Sequence, residues 1–157
     1  MGVNDFLVAP ADQSYYNRPI YLTQRDVREL QFAKAAIAAG IRTLMDEMGI
    51  GIEDIDRVYL AGALGNYVNP HAAMRIGLIP NVNPEIVTPL GNAASTGASM
   101  VLLSKDYWQM ANQLADSIEH IELSSRLDFN DYFIAHMNFP KENIPDSGAP
   151  QALSMPV

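Results

Sequence analysis

Val58-Tyr59-Leu60-Ala61-Gly62-Ala63-Leu64-Gly65-Asn66 is the stretch on which the reading of this chain turns. From Val58 to Ala61 it is continuously apolar, as a strand covered on both faces is, and it then meets two glycines three residues apart. In open α/β sheets ligands bind beyond the carboxyl ends of the strands, and glycine at such an end lets backbone approach a ligand closely. The turn has neither the G-x-G-x-x-G spacing of a dinucleotide fingerprint nor a following G-K-[ST], so no such fingerprint and no P-loop is present. On spacing alone two readings stand side by side: a ligand-facing turn, or a tight turn that only needs positive φ.

Downstream, Asn69-Pro70 is an N-cap followed by proline at the first helical position, and Gly77 suits the end of that short helix, which completes a strand-turn-helix unit. A second unit starts at Ile86-Val87-Thr88 and passes through Pro89-Leu90-Gly91 into the small-residue run from Asn92 to Ser99. Absence of bulk there suits close helix packing or bare amides facing an anion, with packing the simpler explanation. Two successive units predict an α/β sheet with helical crossovers. Beyond them, Ser104 caps a helix carrying Tyr107, Ala111, Leu114 and Ile118, His120 to Leu123 alternates like an exposed strand, and Asp128 caps a last helix with Phe129, Phe133 and Ile134. Residues 141–157, with Pro145, Pro150 and Pro156, read as a flexible tail after a lobe spanning 1–140.

Upstream, Phe6 to Ala9 and Ile20 to Leu22 are short apolar runs that form a loose β-hairpin. Thr23-Gln24-Arg25-Asp26 is a near capping box, and periodicity predicts one helix over about 24–48. Its apolar stripe is Val27, Leu30, Ile37, Ile41, Leu44 and Met48. Arg28, Gln31 and Lys34 recur at i, i+3 and i+6, and Lys34 interrupts the stripe. Either Lys34 snorkels past a packed stem or it meets a ligand. Gly40, at roughly 1 kcal/mol against Ala, and the neighbouring alanines imply that another backbone comes close.

Composition removes several classes of function. The 157 residues make one domain at ~100–200 residues each, and 48% apolar content supplies a core. A net charge of −8 argues against nucleic acid as a partner. With no cysteine, disulfides, thiolate zinc sites, cysteine-ligated iron-sulfur clusters and Cys nucleophiles are excluded from this chain. No run reaches the ~18 apolar residues of a membrane span and no signal peptide is visible, so a cytoplasmic protein is expected. His71, His120 and His136 are scattered, Glu53, Asp54 and Asp56 lack calcium-loop spacing, and no G-x-S-x-G occurs, so neither a metal site nor a catalytic residue is assigned.

Three segments together carry a resemblance: Leu22 to Gly40, Val58 to Tyr67, and Gly77-Leu78-Ile79-Pro80 leading to Gly91-Asn92-Ala93-Ala94. In order and spacing, with Ser124, Asp128-Phe129 and Phe139-Pro140 in support, they resemble the C-terminal part of reductive activators of corrinoid-dependent enzymes. These are ferredoxin-like ATPases of the acetate and sugar kinase, heat-shock chaperone and actin superfamily. The resemblance covers roughly residues 5–140. It implies one incomplete lobe of an actin-like, ribonuclease H-like α/β fold, with a sheet flanked by helices.

The function it implies is ATP-dependent return of Co(II) corrinoid proteins of methyltransferase systems to Co(I). The 2Fe-2S cluster and the phosphate loops of such proteins belong to segments other than this one. Leu60 to Ala63 matches the adenosine segment, with Ala61 where glycine is common. By the same analogy Gly62, Ala63, Gly65 and Asn66 form one wall of a site for ATP with Mg2+. Arg28, Gln31 and Lys34 then face adenine and ribose, and Gly91 and Asn92 belong to the connecting segment. The implied partners are a corrinoid protein, the missing N-terminal segments or a second chain, and another copy through an unpaired edge near Phe6. A non-catalytic module that senses nucleotide or binds a corrinoid protein is the alternative.

Overall fold

The computed structural model describes residues 5–141. The predicted tail, from residue 142 onward, lies outside the described residues. β1 (Phe6–Ala9) and β2 (Ile20–Leu22) pair antiparallel with a register shift between Leu7 and Ala9, which is the expected hairpin. α1 (Gln24–Met48) starts on a full capping box: Thr23 Oγ1 accepts from the Asp26 amide at 3.3 Å, and Asp26 Oδ2 accepts from the Thr23 amide at 2.8 Å. The helix ends at Gly49, whose φ of 64° is the left-handed conformation that closes a helix.

β3 (Val58–Ala61) and β4 (Val87–Gly91) form a parallel pair. Between them lie α2 (Gly62–Tyr67) and α3 (Pro70–Arg75), so the predicted turn after β3 is itself a short helix. The local cause is Gly62, whose φ of 88° makes the corner and lets helical backbone begin at once. Asn69 caps α3, its side chain accepting from the Ala72 amide at 3.1 Å. This crossover buries Ala73, Met74, Ile79 and Val87 as one core, with Val58, Leu60 and Val68 against it.

α4 (Ala93–Leu103) and α5 (Lys105–Ser117) pack on each other as a helical hairpin, and α6 (Leu127–Ala135) packs along α1. His120 to Leu123 is not a strand, because no neighbouring strand offers it a ladder. The N-cap position of α6 is Arg126, which makes no side-chain cap bond, and not Asp128. The Asp128 carboxylate instead accepts from the Phe129 amide at 3.0 Å and from Arg126.

The buried face of α1 is Lys34, Ala35, Ala38, Ala39, Thr43 and Met45. This overturns the predicted stripe, since Leu30, Ile37, Leu44 and Met48 are exposed on the other side. Alanines at 35, 38 and 39 admit the close approach of α6 and of the segment after it, and the larger residues are left facing out. Among the described residues none beyond Val87 is buried, so the α4–α5 hairpin presents its apolar side to solvent. No described helix is long and apolar enough to cross a membrane.

Candidate functional site

The ends of β3 and β4 meet. Val58, Tyr59 and Leu60 pair with Val87, Thr88 and Pro89, and a register shift then skips Leu90 so that Ala61 pairs with Gly91. Gly62 and Gly91, at φ 88° and 66°, therefore turn side by side at the carboxyl edge of a parallel pair. That edge is where this class of sheet binds ligands. Asn92 follows directly and caps α4, its Oδ1 accepting from the Ser95 amide at 3.1 Å.

The two glycines of the bend differ in physical cause. A Cβ built on Gly62 meets no atom within 4 Å, so the space above it is open. A Cβ on Gly65 lies 2.4 Å from the carbonyl oxygen of Leu60, so only glycine lets α2 sit against β3. Gly65 is required by helix-strand packing, and Gly62 by a positive φ beside open space. Ala63 and Asn66 lie within α2. Gly62 and Gly91 thus present backbone without side-chain bulk at these strand ends.

α1 treats its three candidates differently. Arg28 is exposed and Gln31 half-buried, whereas Lys34 is 1% exposed. Its Nζ donates to the carbonyl of Asn138 at 2.5 Å, lies 5.4 Å from the centre of the Phe139 ring, and stands near Gly77. The amine does not snorkel, and its neighbours belong to the segment after α6 rather than to the glycine bend. Burial lowers its pKa, because the charged form has lost water. The carbonyl and the ring face offset part of that cost. The structure brings Gly62, Gly65, Gly91 and Asn92 together and commits Lys34 elsewhere.

Sequence reasoning missed two features. The first is an ion-pair clamp: Arg126 donates from Nη1 to Glu47 on α1 and from Nη2 to Asp128 on α6, both at 2.8 Å. Those hydrogen bonds, Asp128 foremost, hold the guanidinium charged and keep the Asp128 carboxyl below its usual range. The second is a cavity of about 420 Å3 between α1 and the segment from Met74 to Asn81. Arg42 on its rim pairs with Asp46 at 2.8 Å, an i, i+4 spacing visible in the sequence, but the cavity joins residues a hundred positions apart. Among the described residues no group of three or more His, Cys, Asp or Glu is placed to hold a metal ion.

A family model described as the C-terminal domain of RACo, the ASKHA domain, matches residues 2–147. The chain belongs to this family. As a RACo C-terminal ASKHA domain it is one lobe of an actin-like fold, in agreement with the parallel pair and its crossover helices.

Relatives of this domain include the corrinoid activation enzyme RamQ of Eubacterium limosum, 37% identical over 134 residues. Another is the [Co(II) methylated amine-specific corrinoid protein] reductase of Methanosarcina barkeri, 30% identical over 128 residues. The alignments take in 85% and 80% of this chain but only 23% and 24% of those proteins. A solved reductive activator for corrinoid, iron-sulfur protein superposes with a TM-score of 0.80 at 35% identity, over 87% of this chain and 22% of that one. The domain therefore spans about a quarter of the length of the relatives it matches.

Proposed function

We propose that this ASKHA lobe forms the adenosine-facing wall of an ATP site in a reductive activator that returns Co(II) corrinoid proteins to Co(I). The observation that carries the reading is the juxtaposition of Gly62, which follows Ala61, with Gly91, the register partner of Ala61, at the ends of β3 and β4, with open space over Gly62. Gly62 and Gly91 offer the nucleotide backbone without side chains, and Asn92 holds the second turn rigid by capping α4. When bound, ATP supplies the free energy that makes an uphill electron transfer possible. Closure on a nucleotide needs two lobes, since its binding must differ between open and closed states. The opposing wall and magnesium ligands belong to polypeptide outside this chain. With no cysteine, the chain offers no thiolate to a 2Fe-2S cluster, and no step through one is derived for it.

Lys34 enters this reading only if the segment from Asn138 to Pro140 moves off its amine, whereas Arg28 and Gln31 need no such movement. The test is a calorimetric titration of magnesium-ATP into the chain, alone and combined with the polypeptide that corresponds to the rest of a relative. Feeble binding and no hydrolysis are expected alone, and tighter binding in combination. Gly62→Val should weaken the combined binding by placing a branched side chain where the nucleotide approaches. Unchanged affinity in that variant removes the strand ends from the site.

The exposed apolar side of α5 favours a second reading, a lobe that docks a corrinoid protein without using nucleotide. Binding of a corrinoid protein that is indifferent to ATP and to Gly62→Val would select it.

A further inference from the structure

The cavity between α1 and the Met74 to Asn81 segment lies outside everything assigned above. Neither Gly62, Gly65, Gly91 nor Asn92 lines it, and its 420 Å3 falls within the range of about 300–1,000 Å3 that small-molecule sites occupy. Its walls are mostly apolar, with Ile41, Met45 and Ile79 among them, while Arg42, His136 and Lys141 stand at its rim. Arg42 and Lys141 bring two cationic donors to one cavity in a chain whose formal net charge is −8.

The donors are not exhausted. Arg42 uses Nη2 on Asp46 at 2.8 Å, and a guanidinium carries five N–H groups. The Tyr132 hydroxyl, and then Asp46, keep that guanidinium charged. His136 Nδ1 lies 2.7 Å from the carbonyl of Tyr132, which is purely an acceptor, so the hydrogen is assigned to Nδ1 and Nε2 is an acceptor that offers a carboxylate no donor. Lys141 is exposed at the lip.

Apolar walls under a cationic rim suit an organic acid with an apolar body. A neutral apolar molecule would leave the donors to water, and a hydrophilic anion such as inorganic phosphate would gain nothing from Ile41, Met45 and Ile79. We propose that this cavity binds a small organic carboxylate, its apolar body against Ile41, Met45 and Ile79 and its carboxylate at Arg42 and Lys141. The site is separate from the strand ends proposed to face nucleotide.

Met45 and Met74 both line the cavity and supply a local readout. The chain, labelled with 13C in its methionine methyl groups, is titrated with 4-phenylbutyrate and with its neutral amide while Met45→Leu and Met74→Leu assign the two signals. The acid should move both signals saturably, and the amide should bind about tenfold more weakly. Lys141→Gln, at an exposed position that does not endanger folding, should weaken the acid about threefold or more and leave the amide unchanged. Gly62→Val should change neither. Failure of both methionine signals to move at millimolar acid, equal affinity for acid and amide, or loss of acid binding in Gly62→Val would overturn the proposal.

Discussion

Ala61 and Gly91 are register partners at the last position of a parallel strand pair, and they are so only because Leu90 is skipped. Continued in the register of the preceding residues, Ala61 would face Leu90, and a leucine side chain would stand at the edge where two glycines now turn. Pro89 marks the place, since it has no amide to give the ladder and tolerates a local irregularity. The bulge clears bulky side chains from one edge of the sheet.

The two glycines after β3 should answer substitution differently. Gly65→Ala drives a Cβ to 2.4 Å from backbone oxygen, which cannot retreat as a side chain does, and about 2–3 kcal/mol of stability should be lost. Gly62→Ala meets open space and costs only the strain of positive φ, about 1 kcal/mol. Urea denaturation of the two variants reads the difference, and equal losses would contradict the assignment of separate causes.

Lys34 makes stability depend on alkaline pH. Its folded pKa is lowered below the ordinary 10.5, so the unfolded chain binds the proton more readily and the folded state is penalised while the amine must stay charged. As pH rises through the lowered value toward 10.5 that penalty disappears. The stability of the natural chain relative to Lys34→Met should therefore increase across this window, measured by denaturant midpoints. A flat difference would mean that the buried amine carries no penalty.

Thr43 Oγ1 is buried without a hydrogen-bond partner. Replacing an unsatisfied hydroxyl by a methyl of similar shape removes a desolvation cost, so Thr43→Val should raise stability by about 1 kcal/mol. A loss of stability would reveal a bound water or other partner for the hydroxyl.

Arg126 ties α6 to α1 through Asp128 and Glu47. Arg126→Gln should speed amide hydrogen exchange in α6 more than in β3 and β4. Because the Asp128 pKa is lowered below 3.8, the contribution of this clamp is present above that pH and fades as pH falls through the lowered value. The exchange difference between the two proteins should shrink correspondingly in acid.

The apolar side of α5 should make the isolated chain associate. Leu114, on the same stripe of α5 as Tyr107 and Met110, is 58% exposed, and Ile118, just past the end of the helix, is 75% exposed. Sedimentation should show mass rising with concentration, and the pair Leu114→Lys with Ile118→Lys should suppress it. Association untouched by that pair would move the contact to another surface, such as the open edges of the β1–β2 hairpin.

The sequence by itself determined what depends on near neighbours in the chain. The capping box at Thr23, the Asn69-Pro70 start of α3, the Ser104 cap and the glycine stop at Gly49 were legible because each is settled within a few residues. So was the family, whose spaced segments survive as a pattern. Only the tertiary structure decided which face of α1 is inside, that Lys34 is sealed under Asn138 and Phe139, that Gly65 serves packing while Gly62 borders open space, and that a cavity lies beside Met45. The physical reason is that each of these depends on what a distant element leaves room for. Periodicity identifies an apolar stripe, but the shape of the partner selects the alanines, and apolar side chains go inward only where something is there to cover them.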